Sequence, residues 1–136
     1  MTRLVAALLF ALTLSLPAPR MAVAQTDPTE IIGAQIEAFL ADDVATAFTF
    51  AAPGIKRLFG TPENFGRMVQ QGYPMVWRPA EVRYGAAQPR GAAVVQQVYI
   101  TDAAGRLHTL EYTLVPAGDS WQIAGVSILE SAQIGA

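Results

Sequence analysis

The last third of the chain, Ala92 to Glu130, constrains the fold more than any other stretch. It reads as three strands in succession: Val94–Asp102, Arg106–Val115 and Trp121–Leu129. Val, Ile, Thr and Tyr fill the strands, and Gly, Asp and Pro fill the breaks. Asp102-Ala103-Ala104-Gly105 suits a type I turn with Gly105 at positive φ as a bulge. Asp102 then faces Arg106. Walking back from the turn pairs Ile100 with His108, Val98 with Leu110, Gln96 with Tyr112 and Val94 with Leu114. Side chains alternate with period two, so all of these share one mostly apolar face. Gln97, Thr101, Thr109, Glu111 and Thr113 fall on the other face.

A tight Gly118-Asp119 turn continues the meander. It brings Leu114 opposite Ile123 and Tyr112 opposite Gly125. Beyond Gly125 the apolar parity flips, from Trp121 and Ile123 to Val126 and Ile128. A regular strand cannot bury both pairs on one face, so a bulge is expected at or next to Gly125. Gly125 is expected to leave space beside Tyr112 and Gln96, which a Gly125→Val side chain would fill.

The beginning of the chain reads differently. Arg3, the apolar run Leu4–Leu16 and the small-residue site Ala22-Val23-Ala24 predict a signal peptide over residues 1–24, with the mature chain starting at Gln25. A membrane anchor is the plainer alternative, but the 13 residues of that run span only about 20 Å as a helix, against about 30 Å of bilayer core. The predicted product is exported, periplasmic or secreted, with no transmembrane segment after cleavage. The 136 residues less the 24 of the leader leave 112, a single domain of 25–136. Seven basic against 11 acidic residues in that domain argue against nucleic acid. With no cysteine, hydrophobic packing must carry the fold.

Helices are expected ahead of the meander. Asp27-Pro28-Thr29-Glu30 is a helix start, followed by the stripe Ile32, Ile36, Phe39 and Leu40. Asp42 or Asp43 caps a second helix with Val44, Ala47, Phe48 and Ala51 on its buried side, ended by Pro53-Gly54. Ile55–Phe59 reads as one short helical turn. Thr61-Pro62-Glu63-Asn64 starts a third helix, with Phe65, Met68 and Val69 as its stripe. Tyr73–Arg78 reads as extended, because Pro74 and Pro79 disfavour helix in their predecessors. Its Tyr73, Met75 and Trp77 line either a pocket mouth, a partner surface or the ordinary core. Glu81–Gly85 reads as a first strand and Ala86–Gly91 as a loop. The expected architecture is α+β: three N-terminal helices on a curved four-stranded antiparallel meander, shaped like a cone with a hollow inside.

Three blocks carry a family resemblance. They are Asp42-Asp43 with Ala47-Phe48-Thr49-Phe50-Ala51-Ala52-Pro53-Gly54-Ile55; then Phe59-Gly60-Thr61-Pro62, Phe65, Met68-Val69 and Gly72-Tyr73-Pro74; then Trp121-Gln122-Ile123-Ala124-Gly125-Val126. Together they resemble the bacterial family called domain of unknown function 4864, over nearly all of Ile31–Leu129. The resemblance implies a secreted protein of Gram-negative bacteria and carries no activity or catalytic residue with it. In element order alone the chain is similar to the cone-shaped superfamily of nuclear transport factor two and ketosteroid isomerase. That superfamily spans isomerases, dehydratases, lipid carriers and interaction modules, so the likeness speaks to fold rather than chemistry.

Four residues are candidates for a site. His108, the only histidine, stands on the core face and is the one candidate base. The plainer reading is a satisfied or rim-exposed structural side chain at the end of the sheet. Gln96 and Tyr112, with Gly125 beside them, can bind a ligand carbonyl or hydroxyl. The plainer reading has them bonded to each other and to backbone. Asp42-Asp43 reads as a helix cap rather than an acid pair. No cluster of His, Asp and Glu stands at ligand spacing, so neither metal nor cofactor is expected. No phosphate loop or nucleophile motif is present. The expected function is non-enzymatic binding of a small apolar ligand or a protein partner. An isomerase or dehydratase working in the cone is one alternative, and a purely structural interaction domain is another.

Overall fold

The structure is a computed structural model that describes Ser15 and residues 26–129. The expected leader therefore lies, Ser15 aside, outside the described residues. Five helices precede four strands: α1 Pro28–Leu40, α2 Val44–Thr49, α3 Pro53–Phe59, α4 Pro62–Gly72, α5 Pro74–Trp77, β1 Pro79–Arg90, β2 Ala93–Asp102, β3 Leu107–Ala117 and β4 Ser120–Leu129. The fold is α+β, and the sheet is antiparallel in the order β1-β2-β3-β4.

Side-chain caps start three of the helices. Asp27 accepts from Thr29 N, Asp43 from Thr46 N and Thr61 from Asn64 N. Each satisfies a backbone donor that has no partner inside its helix. Pro28, Pro53 and Pro62 occupy the first turns, where a missing N–H costs nothing. Pro53 thus opens α3 rather than ending α2. Asp42 takes a positive φ of 56° and pairs with Arg78 instead of capping. The Arg78 guanidinium also donates to the carbonyl of Phe39 at 2.8 Å and lies 4.7 Å from the Trp77 ring centroid. One side chain so ties the end of α1 to the entry of β1.

The segment expected to be extended is helical. Tyr73 and Arg78, the residues before the two prolines, do avoid helical geometry, at φ −135° and −139°. The four residues between them form α5, because Pro74 suits the first position of a helix. The first strand is also longer than expected, absorbing the presumed loop as far as Arg90. Its pairing continues through Arg90 and Ala93 around Gly91, which has φ 60°. Pro89 fits because β1 is an edge strand.

Registers in the rest of the sheet follow the turns. Ile100 pairs with His108, Val98 with Leu110, Gln96 with Tyr112 and Val94 with Leu114. Gly105 closes the β2–β3 turn at φ 84° and Gly118 the β3–β4 turn at φ 63°. Leu114 pairs with Ile123, and Thr113 with Gly125, which leaves Ala124 as the extra residue of a bulge. The bulge therefore lies next to Gly125. Tyr112 pairs with Val126 rather than Gly125. The edge of β4 at this point is covered. Ile123 donates its N–H to Phe50 and accepts from Ala52 N, both at 2.8 Å. These two bonds anchor the α2–α3 connection to the bulge and remove an exposed edge.

The core lies between the helices and the inner sheet face. Ile32, Phe39, Val98, Ile100, Leu110, Tyr112, Leu114 and Ile123 are its largest fully buried side chains. Phe65 packs against Phe39, Phe48 and Phe59, with ring centroids 5.3 to 5.9 Å apart.

Candidate functional site

A cavity of about 240 Å³ lies in this core, between the helices and the β3–β4 half of the sheet. Gln35 and Phe39 of α1, Ile55 and Phe59 of α3, and Phe65, Met68 and Val69 of α4 form its walls. Tyr73 and Val76 stand at the α4–α5 junction. Tyr112, Ile123, Ala124, Gly125 and Val126 contribute the sheet side. The bulge explains why space exists here. It re-aims β4 between Ile123 and Val126, and the two residues in between are small. A side chain begun at Gly125 meets no atom within 4 Å.

The pairing expected for Gly125 is corrected. This residue does not stand opposite Tyr112, and a Cβ there does not crowd Tyr112. Its φ is not positive either, so glycine is not required by the backbone. It does line the same cavity as Tyr112.

Polar groups around the cavity are few, and most are engaged. Gln35 donates Nε2 to the carbonyl of Ala47 at 3.1 Å. Tyr73 donates its hydroxyl to the carbonyl of Val126 at 3.1 Å, which straps the α4–α5 junction to β4 just past the bulge. Tyr112 differs. It is 0% exposed, and its hydroxyl is the buried side-chain polar atom without a hydrogen-bond partner among the described residues. Burial pushes its pKa up, and the neighbouring Tyr84 and Tyr73 add to the shift. The group is therefore a neutral phenol throughout the physiological range.

Gln96 is buried at 2% exposure but serves another purpose. Its Nε2 donates to the carbonyls of Gly85 and Gln97, both at 2.9 Å. Gly85 sits in a register shift of β1 between Tyr84 and Ala87, where the ladder is broken. Gln96 supplies the hydrogen bond that the ladder cannot. It faces Tyr112 across the strands but does not bond it, and it is not among the cavity's lining residues.

His108 lies away from the cavity, at the end of the sheet. Its Nε2 is 2.8 Å from Asp102 Oδ2. Oδ1 of the same carboxylate accepts from Ala104 N and Arg106 N, both at 2.9 Å. The bond from His108 and the bond from Arg106 N hold the Asp102 carboxyl below the usual carboxylate range. Asp102 and His108 together brace the β2–β3 turn.

The structure thus brings Tyr112 and Gly125 together and sets Gln96 and His108 apart from them. Of the aromatic segment before β1, Tyr73 lines the cavity, while Met75 is core and Trp77 packs on Phe39 at 5.5 Å between ring centroids. Gln35 is the lining residue that pattern reading missed. Its signal is its spacing, three residues after Ile32 and four before Phe39, which puts an amide on the buried stripe of α1. Among the described residues, no group of His, Cys, Asp and Glu is placed to hold a metal ion, and no helix is long and apolar enough to cross a membrane.

No match is found among curated proteins. A family model described as Domain of unknown function (DUF4864) matches residues 22–136, which takes in every helix and strand described above and the whole lining of the cavity. By that match the chain belongs to the DUF4864 family.

Proposed function

We propose that the protein binds a small apolar molecule in the cavity beneath α1, α3 and α4, without converting it chemically. The observation that supports this reading best is the make-up of the lining. It consists of aliphatic and aromatic side chains with the one amide of Gln35, and it contains no Asp, Glu, Lys, Arg or His. Catalysis of an isomerase or dehydratase kind needs a base of accessible pKa at the reacting atoms. His108, the candidate for that role, stands outside the cavity. The likeness in element order to the cone-shaped carriers and isomerases is compatible with binding in the same space.

Size narrows the occupant. Drug-sized ligands occupy about 300–1,000 Å³, and an engineered apolar cavity of about 150 Å³ holds benzene. A volume of about 240 Å³ suits one ring bearing a short substituent. Methyl NMR titration with single-ring hydrocarbons tests the proposal. Resonances of Ile55, Val69, Ile123 and Val126 should shift in a saturable way while those of Val82 and Val95 stay still. Unmoved cavity methyls across the series would refute it.

We also propose that the chain is exported, with residues 1–24 removed. The contacts of Thr26 are compatible with this cut. Its N–H donates to Asp119 O at 3.1 Å, and its carbonyl accepts from Trp121 Nε1 at 2.7 Å. Both bonds belong to a residue one position after the expected mature start, so a cut before Gln25 leaves them intact. N-terminal analysis of exported protein should find Gln25, and an intact Met1 would overturn the claim.

A further inference from the structure

We infer that the occupant of this cavity carries a hydroxyl on its single ring, and that the side-chain amide of Gln35 holds it. The inference rests on the cavity being a binding site and adds the chemistry that the site selects. Gln35 is 3% exposed and belongs both to the buried stripe of α1 and to the cavity lining. A side-chain amide has one oxygen acceptor and two N–H donors. One donor goes to the carbonyl of Ala47 at 3.1 Å. That carbonyl can only accept, so it fixes which arm of the amide is nitrogen and which is oxygen. Oε1 and the second N–H have no partner among the described residues, and Oε1 is not sealed off as the Tyr112 hydroxyl is. On a side chain otherwise enclosed by the core, the opening that reaches Oε1 is the cavity. The tie to α2 does not by itself account for an amide here, because the Ala47 carbonyl already accepts from Phe50 N at 3.3 Å. Buried polar groups are normally paired, and for Oε1 the pairing group comes from what fills the cavity.

A hydroxyl is the smallest neutral group that meets both free sites, giving its proton to Oε1 and accepting from the second N–H. An ether or ketone only accepts and leaves Oε1 unmet, and a hydrocarbon leaves both. Charged groups are disfavoured by the rest of the lining. With no Lys, Arg or His on the wall, a carboxylate would be desolvated without a counter-charge, and with no Asp or Glu an ammonium would fare no better. The exposure of the lining gives the direction of entry. Gln35, Phe39, Phe65 and Val69 are buried, whereas Ile55 and Phe59 are half-buried and Ala124 is exposed. A ring entering past α3 and the β4 bulge carries its hydroxyl inward to the amide.

Three probes separate the possibilities: phenol, which donates and accepts; toluene, of the same shape, which does neither; and anisole, which only accepts. Each is titrated by methyl NMR into wild-type protein and into Gln35→Met, which keeps the length of the side chain without its amide. Phenol should bind the variant about tenfold more weakly, the size of effect expected when a buried hydroxyl loses its partner. Toluene should bind both proteins alike or favour the variant, and anisole should lose distinctly less than phenol. Equal losses of phenol and toluene would mean that Gln35 only ties α1 to α2 or is satisfied by water; the inference would fall and an apolar site would remain. Wild type that binds toluene but not phenol would have the same meaning. Anisole losing as much as phenol would also overturn the inference, since Oε1 would then play no part. Failure of all three to bind wild type would instead remove the binding reading itself. A second readout needs no variant. The side-chain amide proton resonances of Gln35 should move further with phenol than with toluene, and matching shifts would count against the hydrogen bond.

Discussion

Replacing Tyr112 with phenylalanine removes one oxygen from the core and leaves the ring in place. In most proteins a buried Tyr→Phe change is destabilising, because the hydroxyl loses a hydrogen bond worth about 1 kcal/mol. Here the sign should reverse. The hydroxyl is 0% exposed and has no partner among the described residues. A buried polar group left unsatisfied costs about 1–3 kcal/mol, and phenylalanine relieves that cost. A single oxygen is removed while the ring stays packed, so little new void is added. We expect ligand-free Tyr112→Phe to be about 1–2 kcal/mol more stable. With a urea m-value of about 1–2 kcal/mol/M for a small domain, the midpoint should rise by about 1 M at unchanged m. Tyr73→Phe is the matched control. It loses the bond to Val126 O and should fall by about 1 kcal/mol. A Tyr112→Phe protein less stable by about 1 kcal/mol or more would mean that the hydroxyl is satisfied in solution, by water held in the cavity, and the reasoning above would fail.

Three other outcomes follow from the same geometry. Gln96→Leu strands the carbonyl of Gly85 at the β1 bulge; it should cost about 1–3 kcal/mol in urea unfolding, with faster amide exchange around Ala87, and a neutral result would show that the bulge needs no such bond. Gly66→Ala places a Cβ 2.6 Å from Val44 Cγ1 where α2 meets α4 and should cost about 1–3 kcal/mol, whereas Gly125→Ala meets nothing within 4 Å and should stay within about 0.5 kcal/mol; thermal melts that rank the two the other way would contradict the packing. Asp102 has a folded pKa below the ordinary carboxylate value of 3.8, so its support of the β2–β3 turn is full above that value and is lost as pH falls through the lower folded pKa; the protection of the Ala104 and Arg106 amides relative to unfolded chain should fall only below about pH 4, and Asp102→Asn should abolish the step.

Much of the sheet is legible in the chain because its signals are local. Asp102 to Gly105 and Gly118-Asp119 set the two turns, and period-two alternation then carries the register to Val94 and Leu114 without further information. The parity flip after Ile123 announces the bulge, although it does not distinguish Ala124 from Gly125 as the extra residue. Helix starts are equally local, since Asp27, Asp43 and Thr61 each act on a backbone donor within three residues. Segments under weaker local control went astray. The rule for residues before proline held for Tyr73 and Arg78, but the four residues between them were free to close a helical turn. The run Ala86–Arg90 has no strand signal of its own, and it is a strand because β2 offers a partner along its whole length.

The site divides along the same line. Periodicity and turn chemistry place Gln96, His108 and Tyr112 on one sheet face, because side-chain direction in a strand is a property of the residue's own backbone. They do not assign partners. Gln96 turns to Gly85 at the β1 bulge, 11 residues away, His108 to Asp102, 6 residues away, and Tyr112 to nothing among the described residues. The cavity is still less local. Its walls come from α1, α3 and α4, its strap from Tyr73 and its floor from β4, so the lining runs from Gln35 to Val126. An empty volume is what remains after every helix has packed as closely as its neighbours permit, so it is set by the assembled packing and leaves no pattern in the sequence.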